Sequence, residues 1–145
     1  MKKVLNVYIS GALTDLKNPS KIKKFYENIG NLCESLDFKS YVPHLNTDPI
    51  ENSDLKPKDI YEIDKSSVIA SDLVIAYLGI PSLGVGMELA YADIANIPII
   101  LLYEKHKTVS RFARGIPNTI AEIIFEQEED AFFELKRFLL NWTQQ

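Results

Sequence analysis

The sequence holds a single cysteine, Cys33, among 145 residues. That excludes a disulfide framework and any cysteine-built metal cluster. Its two histidines, His44 and His106, have no paired ligand spacing, so no metal is expected. No apolar run reaches the ~18 residues a membrane span needs, so no membrane partner is expected. Positive charge is not in excess. Sixteen basic side chains stand against twenty acidic ones, for a net charge of −4. That argues against a nucleic-acid polymer as partner, although one locally positive site can still hold a small anion. The N-terminus enters a strand-like run with no cleavage pattern, so no targeting segment is expected and a cytoplasmic location follows as an expectation. No Gly-Lys-Ser/Thr occurs, which rules out a Walker loop.

The composition, 46% hydrophobic and 25% charged, is that of one globular domain, so residues 1–145 read as a single unit. Val4–Ser10 is β-rich and ends at Gly11. Pro19–Leu36 carries Ile22, Phe25, Ile29, Leu32, Cys33 and Leu36 at helical spacing. Ser40–Val42 is a short strand stopped by Pro43, and Asn46–Lys56 reads as a loop. Pro57 suits the first turn of a helix running to about Ala70, with Ile60, Ile63 and Ile69 inward. Asp72–Leu78 is a buried strand, Gly79–Gly86 a loop, Met87–Ala95 a helix and Ile97–Tyr103 another buried strand. Glu104–Asn118 is a polar connection with room for one helical turn, and Ile120–Phe125 a candidate fifth strand. Asp130–Trp142 is an amphipathic helix led inward by Phe132, Phe133, Leu135, Phe138, Leu139 and Trp142. Alternation of this kind predicts an α/β three-layer fold with a mostly parallel five-stranded sheet. Ligands of such sheets bind beyond the carboxyl ends of the strands, which singles out 10–15, 77–88 and 103–115.

The loop Pro81–Glu88 is the most informative of these. Gly84 and Gly86 let backbone approach a ligand, and the helix start that follows offers free N–H groups to an anion. Glu88, in the first turn of that helix, has an ordinary role in complementing the helix dipole. Asp64 has an ordinary role on a solvated helix face. Together at the ligand edge, two carboxylates can serve as nucleophile and general acid, the pairing that retaining glycoside cleavage needs. Tyr8, at the end of the first strand, is either a half-buried aromatic or a hydroxyl that holds a carboxylate. His44 is either a solvent-facing loop histidine or a ligand contact. Ser110-Arg111 and Arg114-Gly115 are either solvated loop or part of an anion site.

Val7-Tyr8-Ile9-Ser10-Gly11-Ala12, Ser71-Asp72-Leu73-Val74-Ile75-Ala76 and Gly84-Val85-Gly86-Met87-Glu88-Leu89-Ala90-Tyr91-Ala92 resemble the nucleoside 2-deoxyribosyltransferase superfamily, over about Val4 to Pro117. Pro81-Ser82-Leu83-Gly84-Val85-Gly86 before Glu88-Leu89 resembles its 2'-deoxynucleoside 5'-monophosphate N-hydrolase branch. So do Ser110 five residues before Gly115, the 24-residue step from Asp64 to Glu88, and His44. The resemblance implies a flavodoxin-like fold in a homodimer with shared active sites, acting on a small nucleotide or nucleoside without a cofactor. It implies Glu88 as the nucleophile at C1', Asp64 as the group that assists the leaving base or activates water, and Tyr8 as the group that orients Glu88 and crowds the 2' position. Gly11, Ala12, Leu13, His44, Ser82, Gly84, Gly86 and, from a second subunit, Ser110 would then bind substrate. The transferase branch carries an acidic residue where Ser82 stands, and a carboxylate repels a phosphate by several kcal/mol in a partly buried site. Ser82 therefore favours a nucleotide.

One departure weakens the phosphate site. Gly11-Ala12-Leu13-Thr14 replaces the Gly-Ser-Ile-Arg that the branch often carries, removing a hydroxyl and a positive charge, for which Arg111, Arg114 or Lys17 are candidate replacements. The expected activity is hydrolysis of deoxynucleoside monophosphates. A deoxyribosyltransferase and a nucleotide-binding sensor without turnover are the alternatives.

Overall fold

A computed structural model describes residues 3–142. Its elements run β1 (Asn6–Ser10), α1 (Pro19–Ser35), β2 (Lys39–Tyr41), α2 (His44–Thr47), α3 (Pro57–Ile69), β3 (Leu73–Tyr77), α4 (Leu83–Ile94), β4 (Ile99–Glu104), α5 (Arg111–Arg114), β5 (Thr119–Phe125) and α6 (Glu128–Trp142). The five strands form one sheet in the order β2-β1-β3-β4-β5. Every neighbouring pair is parallel, as the βα alternation requires. The chain reverses its direction of travel across the sheet between β1 and β3, the switch point where open α/β sheets bind ligands.

Strand alternation divides the core in two. Val7 and Ile9 face one layer, built with Phe25, Tyr26, Ile29 and Cys33 of α1 and with Leu135 and Leu139 of α6. Tyr8, Val74, Ala76 and Leu101 face the other, packed by Val68 of α3 and by Val85, Leu89 and Ala92 of α4.

Four boundaries or faces differ from expectation. α4 starts at Leu83, four residues early, because the Ser82 hydroxyl accepts the Val85 N–H at 3.2 Å and caps the helix over both glycines. Gly84 and Gly86 are therefore in a helical turn rather than a loop. Asn46–Lys56 is not all loop either, since His44–Thr47 closes one helical turn after Pro43. On α3 the line facing the sheet is Ile60, Asp64, Val68, spaced by four, and Ile63 and Ile69 are exposed. The apolar residues between those positions turn outward, so the helix buries a carboxylate instead. On α6 Phe133 is exposed, because Ala131, Leu135 and Leu139 occupy the packed line.

Candidate active site

Tyr8 and Ser10 lie two residues apart on β1 and so share a face of the sheet. Both are wholly buried. Glu88 follows Val85 by three and precedes Ala92 by four, so it is on the inward line of α4. It occupies the second turn, not the first, and is half-buried rather than a free dipole partner. These two periodicities bring three side chains together. The Tyr8 hydroxyl donates to Glu88 Oε2, and Ser10 Oγ donates to Oε1 at 3.1 Å. Both carboxylate oxygens are thus held by buried hydroxyls at the carboxyl end of β1.

Parallel register places Tyr41 of β2 opposite Tyr8, and their rings stack with centroids 5.4 Å apart at 15°. Asp64 reaches the same region from α3, where its Oδ1 accepts from Thr47 Oγ1 at 3.1 Å. Burial raises the Asp64 carboxyl above its ordinary range, opposed by the Thr47 hydroxyl. Glu88 is pushed up to about 7. Burial is the largest cause and the Asp64 charge adds to it, while the Tyr8 and Ser10 hydrogen bonds pull the other way. Desolvation therefore outweighs two hydrogen bonds, which leaves a carboxyl that titrates near neutrality. Burial and the Glu88 charge together raise the Tyr8 phenol, so Tyr8 stays a proton donor.

The expected substrate contacts are distributed more widely. Gly11 abuts the Tyr26 ring, into which a Cβ would run, and Tyr26 Oη donates to the Ala12 carbonyl at 3.0 Å. The turn from Gly11 to Leu13 is thereby fixed to α1 beside the Glu88 cluster. His44 is buried rather than solvent-facing, and its Nε2 meets Glu27 Oε2 at 3.0 Å. Ser82 and Ser110 line one hollow of about 1090 Å³ between α4 and α5, whose walls include neither Glu88 nor Asp64. Each serine caps a helix, Ser82 at Val85 and Ser110 at Ala113. Gly84 and Gly86 leave the first turn of α4 bare, and a Cβ at Gly86 would meet nothing within 4 Å. Arg114 is committed to Glu122 through two hydrogen bonds of 3.0 Å, so it is not a free phosphate ligand. Arg111 and Lys17 are exposed.

Ser10, singled out only as the first residue of the segment 10–15, and Tyr41 and Thr47, not singled out at all, complete the cluster. The first two were reachable from Tyr8, by strand period and by parallel pairing. Thr47 had no sequence signal, because only the fold brings α2 against α3. No group of three or more metal-ligating side chains occurs among the described residues, and no helix among them is long and apolar enough to cross a membrane.

No family model matches the chain. A protein of Methanococcoides burtonii provisionally named 2'-deoxynucleoside 5'-phosphate N-hydrolase 1 is 31% identical over 125 residues, covering 85% of this chain and 95% of that protein. A Thermofilum pendens protein of the same provisional name is 32% identical over 95 residues, 61% of this chain and 66% of that protein. Among solved structures, a CMP N-glycosidase of Clostridium botulinum superposes with a TM-score of 0.71 at 21% identity, over 92% of this chain and 98% of that one. A 2-deoxyribosyltransferase of Bacillus psychrosaccharolyticus gives 0.64 at 15% identity, over 88% and 90%. These two share the fold. With a relative 31% identical over nearly its whole length, the chain belongs to the 2'-deoxynucleoside 5'-phosphate N-hydrolase family, and it shares its fold with a 2-deoxyribosyltransferase.

Proposed function

We propose that this chain is an N-glycosidase that hydrolyses 2'-deoxynucleoside 5'-monophosphates to free base and deoxyribose 5-phosphate. The observation that carries the reading is the Glu88 carboxylate, held through both oxygens by Tyr8 and Ser10 with Asp64 beside it. In the first step Glu88 attacks C1', the C1'–N bond breaks with its electron pair leaving on the base nitrogen, and Asp64 gives that nitrogen a proton. In the second, water attacks C1', Asp64 takes its proton and the Glu88 carboxylate departs. Two displacements at one carbon retain its configuration. Tyr8 orients the nucleophile and crowds the 2' position, which favours deoxyribose.

A phosphate on the substrate is favoured by the names of the relatives and by Ser82. Its oxygen accepts from Val85 and its own proton remains free to donate. Gly11, Ala12 and Leu13 border the sugar in this reading, and His44 the base. An assay with the four deoxynucleoside monophosphates, beside the matching nucleosides plus a second base, tests it by chromatography. Free base from the monophosphates alone is expected. Exchanged nucleosides would replace this reading with base transfer, and tight binding without product would replace it with a sensor. Ser82→Asp should cut monophosphate turnover at least tenfold by charge repulsion. An unchanged rate would remove Ser82 from the phosphate site.

The active unit in this reading is a homodimer with shared sites, Ser110 reaching the phosphate of the partner. Leu83, Met87 and Ile94 form an outward apolar stripe on α4 beside Phe112 of α5, and Leu83 and Phe112 are 91% and 93% exposed. A second copy would cover that stripe. Light scattering on the eluting protein should read twice the 16.5 kDa chain mass, and a monomer at assay concentration would refute the dimer.

A further inference from the structure

α2 is one turn long, yet it is fastened at both ends. His44 Nε2 meets Glu27 Oε2 at 3.0 Å, and Lys23 Nζ meets Asp48 Oδ1 at 2.5 Å. Lys23 and Glu27 are one turn apart on α1, so the two pairs clamp α2 in register. Asp48 also accepts the Ile50 and Glu51 N–H groups at 2.9 Å, which fixes the chain just beyond.

Between the two pairs stands Thr47, only 3% exposed. Its Oγ1 lies 3.1 Å from Asp64 Oδ1 and 3.2 Å from the Pro43 carbonyl oxygen. A hydroxyl has one proton and two lone pairs, so it can donate to only one of these at a time. The Pro43 carbonyl oxygen takes the Asn46 N–H at 2.9 Å and the Thr47 N–H at 2.8 Å, and the hydroxyl shares it as a third donor, the back-bonding that a threonine makes to the carbonyl four residues before it.

We propose that Thr47 is a positioning residue that keeps Asp64 hydrogen-bonded in both of its protonation states, by turning its one hydroxyl proton between Asp64 and the Pro43 carbonyl. With Asp64 ionised, Thr47 donates to Oδ1. With Asp64 protonated on Oδ1, that O–H donates to Oγ1 and the Thr47 proton turns to Pro43. No heavy atom has to move between the two. Among the described residues, the other titratable groups that interact with Asp64 are Tyr8 from β1, Tyr41 from β2 and Glu88 from α4, and none of these is a cation. A carboxyl that gives a proton to a leaving base and then takes one from water needs a partner for each form. That role rests on the N-glycosidase reading, whereas the hydrogen-bond exchange does not.

The test is a carboxyl 13C NMR titration of the whole chain with labelled aspartate, beside pH profiles of kcat and KM. Thr47→Val keeps the shape and removes the hydroxyl. It should move the Asp64 midpoint up by roughly half to one pH unit, since a hydrogen bond to the ionised form outweighs one to the neutral form. kcat should fall about tenfold with KM little changed, and Thr47→Ser should restore both readouts. Should Thr47→Val melt, Thr47→Ala removes the hydroxyl without adding volume and is read the same way. Coincident Asp64 titrations in wild type and the hydroxyl-free variant overturn the proposal. A shifted midpoint in a protein that releases no base from any monophosphate refutes the N-glycosidase reading and upholds the exchange.

Discussion

Two tyrosine–glutamate pairs stand at the carboxyl edge of the sheet, on opposite faces. On one face Tyr77 of β3 donates to Glu104 Oε1 at 2.5 Å. Lys107 Nζ lies 3.6 Å from Glu104 Oε2, and donates to Tyr77 Oη at 3.3 Å and to the Gly79 carbonyl at 3.0 Å. A Cβ on Gly79 would strike both the tyrosine and the glutamate, so the turn after β3 closes tightly over this group. On the other face Tyr8 of β1 donates to Glu88, and the third charged group is not a lysine but Asp64. No Lys, Arg or His pairs with Glu88 among the described residues. The first arrangement neutralises its carboxylate and ties β3, β4 and their turns together. The second keeps a carboxylate short of compensation, and burial then moves its titration to about 7. The same two side chains make a neutralised strut where a lysine is the third group, and a carboxyl titrating near neutrality where burial is joined by a second carboxylate.

The sharpest way to break that contrast is to neutralise each glutamate. Glu88→Gln should lower turnover by about 10³-fold or more while the fold persists. Glu104→Gln should leave turnover within about threefold and cost about 1–2 kcal/mol of stability by unpairing Lys107. Rates and denaturant melts on the two variants check this, and equal loss of activity in both would erase the distinction.

The tyrosines come next. Tyr8→Phe removes a donor that favours ionised Glu88, so turnover should fall about 10- to 100-fold and the acid limb of the pH profile should move above its wild-type position. Tyr77→Phe should cost about 1 kcal/mol and leave the pH profile untouched.

The remaining effect is electrostatic. In the wild type the rate should rise with pH through about 7 as Glu88 ionises. Folding should respond in the opposite sense. Native Glu88 holds its proton up to about 7, against an ordinary value of 4.5. The native state therefore binds more protons between those values, and stability should fall by about 3 kcal/mol at most as pH rises through them. Asp64→Asn removes a neighbouring charge that favours protonation, so the Glu88 midpoint should drop, read by 13C NMR of labelled glutamate. A midpoint that stays in place would assign the whole shift to burial.

Much of this was visible before any fold was known. The α/β alternation, Tyr8, Asp64 and Glu88 were all legible, because runs of β-branched residues, helical spacing and strand-end position are local signals. The start of α4 was misjudged because Gly84 and Gly86 look like breakers, and a serine cap with a buried Val85–Leu89 line outweighs them. The face of α3 was misjudged because Ile63 and Ile69 are more apolar than Asp64, yet helical geometry keeps 60, 64 and 68 in one line against the sheet. Thr47 was missed because a short polar segment near Pro49 reads as loop until Lys23 and Glu27 clamp it.

By itself the sequence determined the order of the strands and long helices, and that the sheet is mostly parallel. Those outcomes follow from periodicity and connection length, which act over a few residues. Only the tertiary structure decided that Glu88 faces Tyr8, Ser10 and Asp64 while Glu104 faces Lys107. That choice depends on the register of β1 against its neighbours and on the crossing of α3 and α4, and the strength of a charge depends on what else is buried with it.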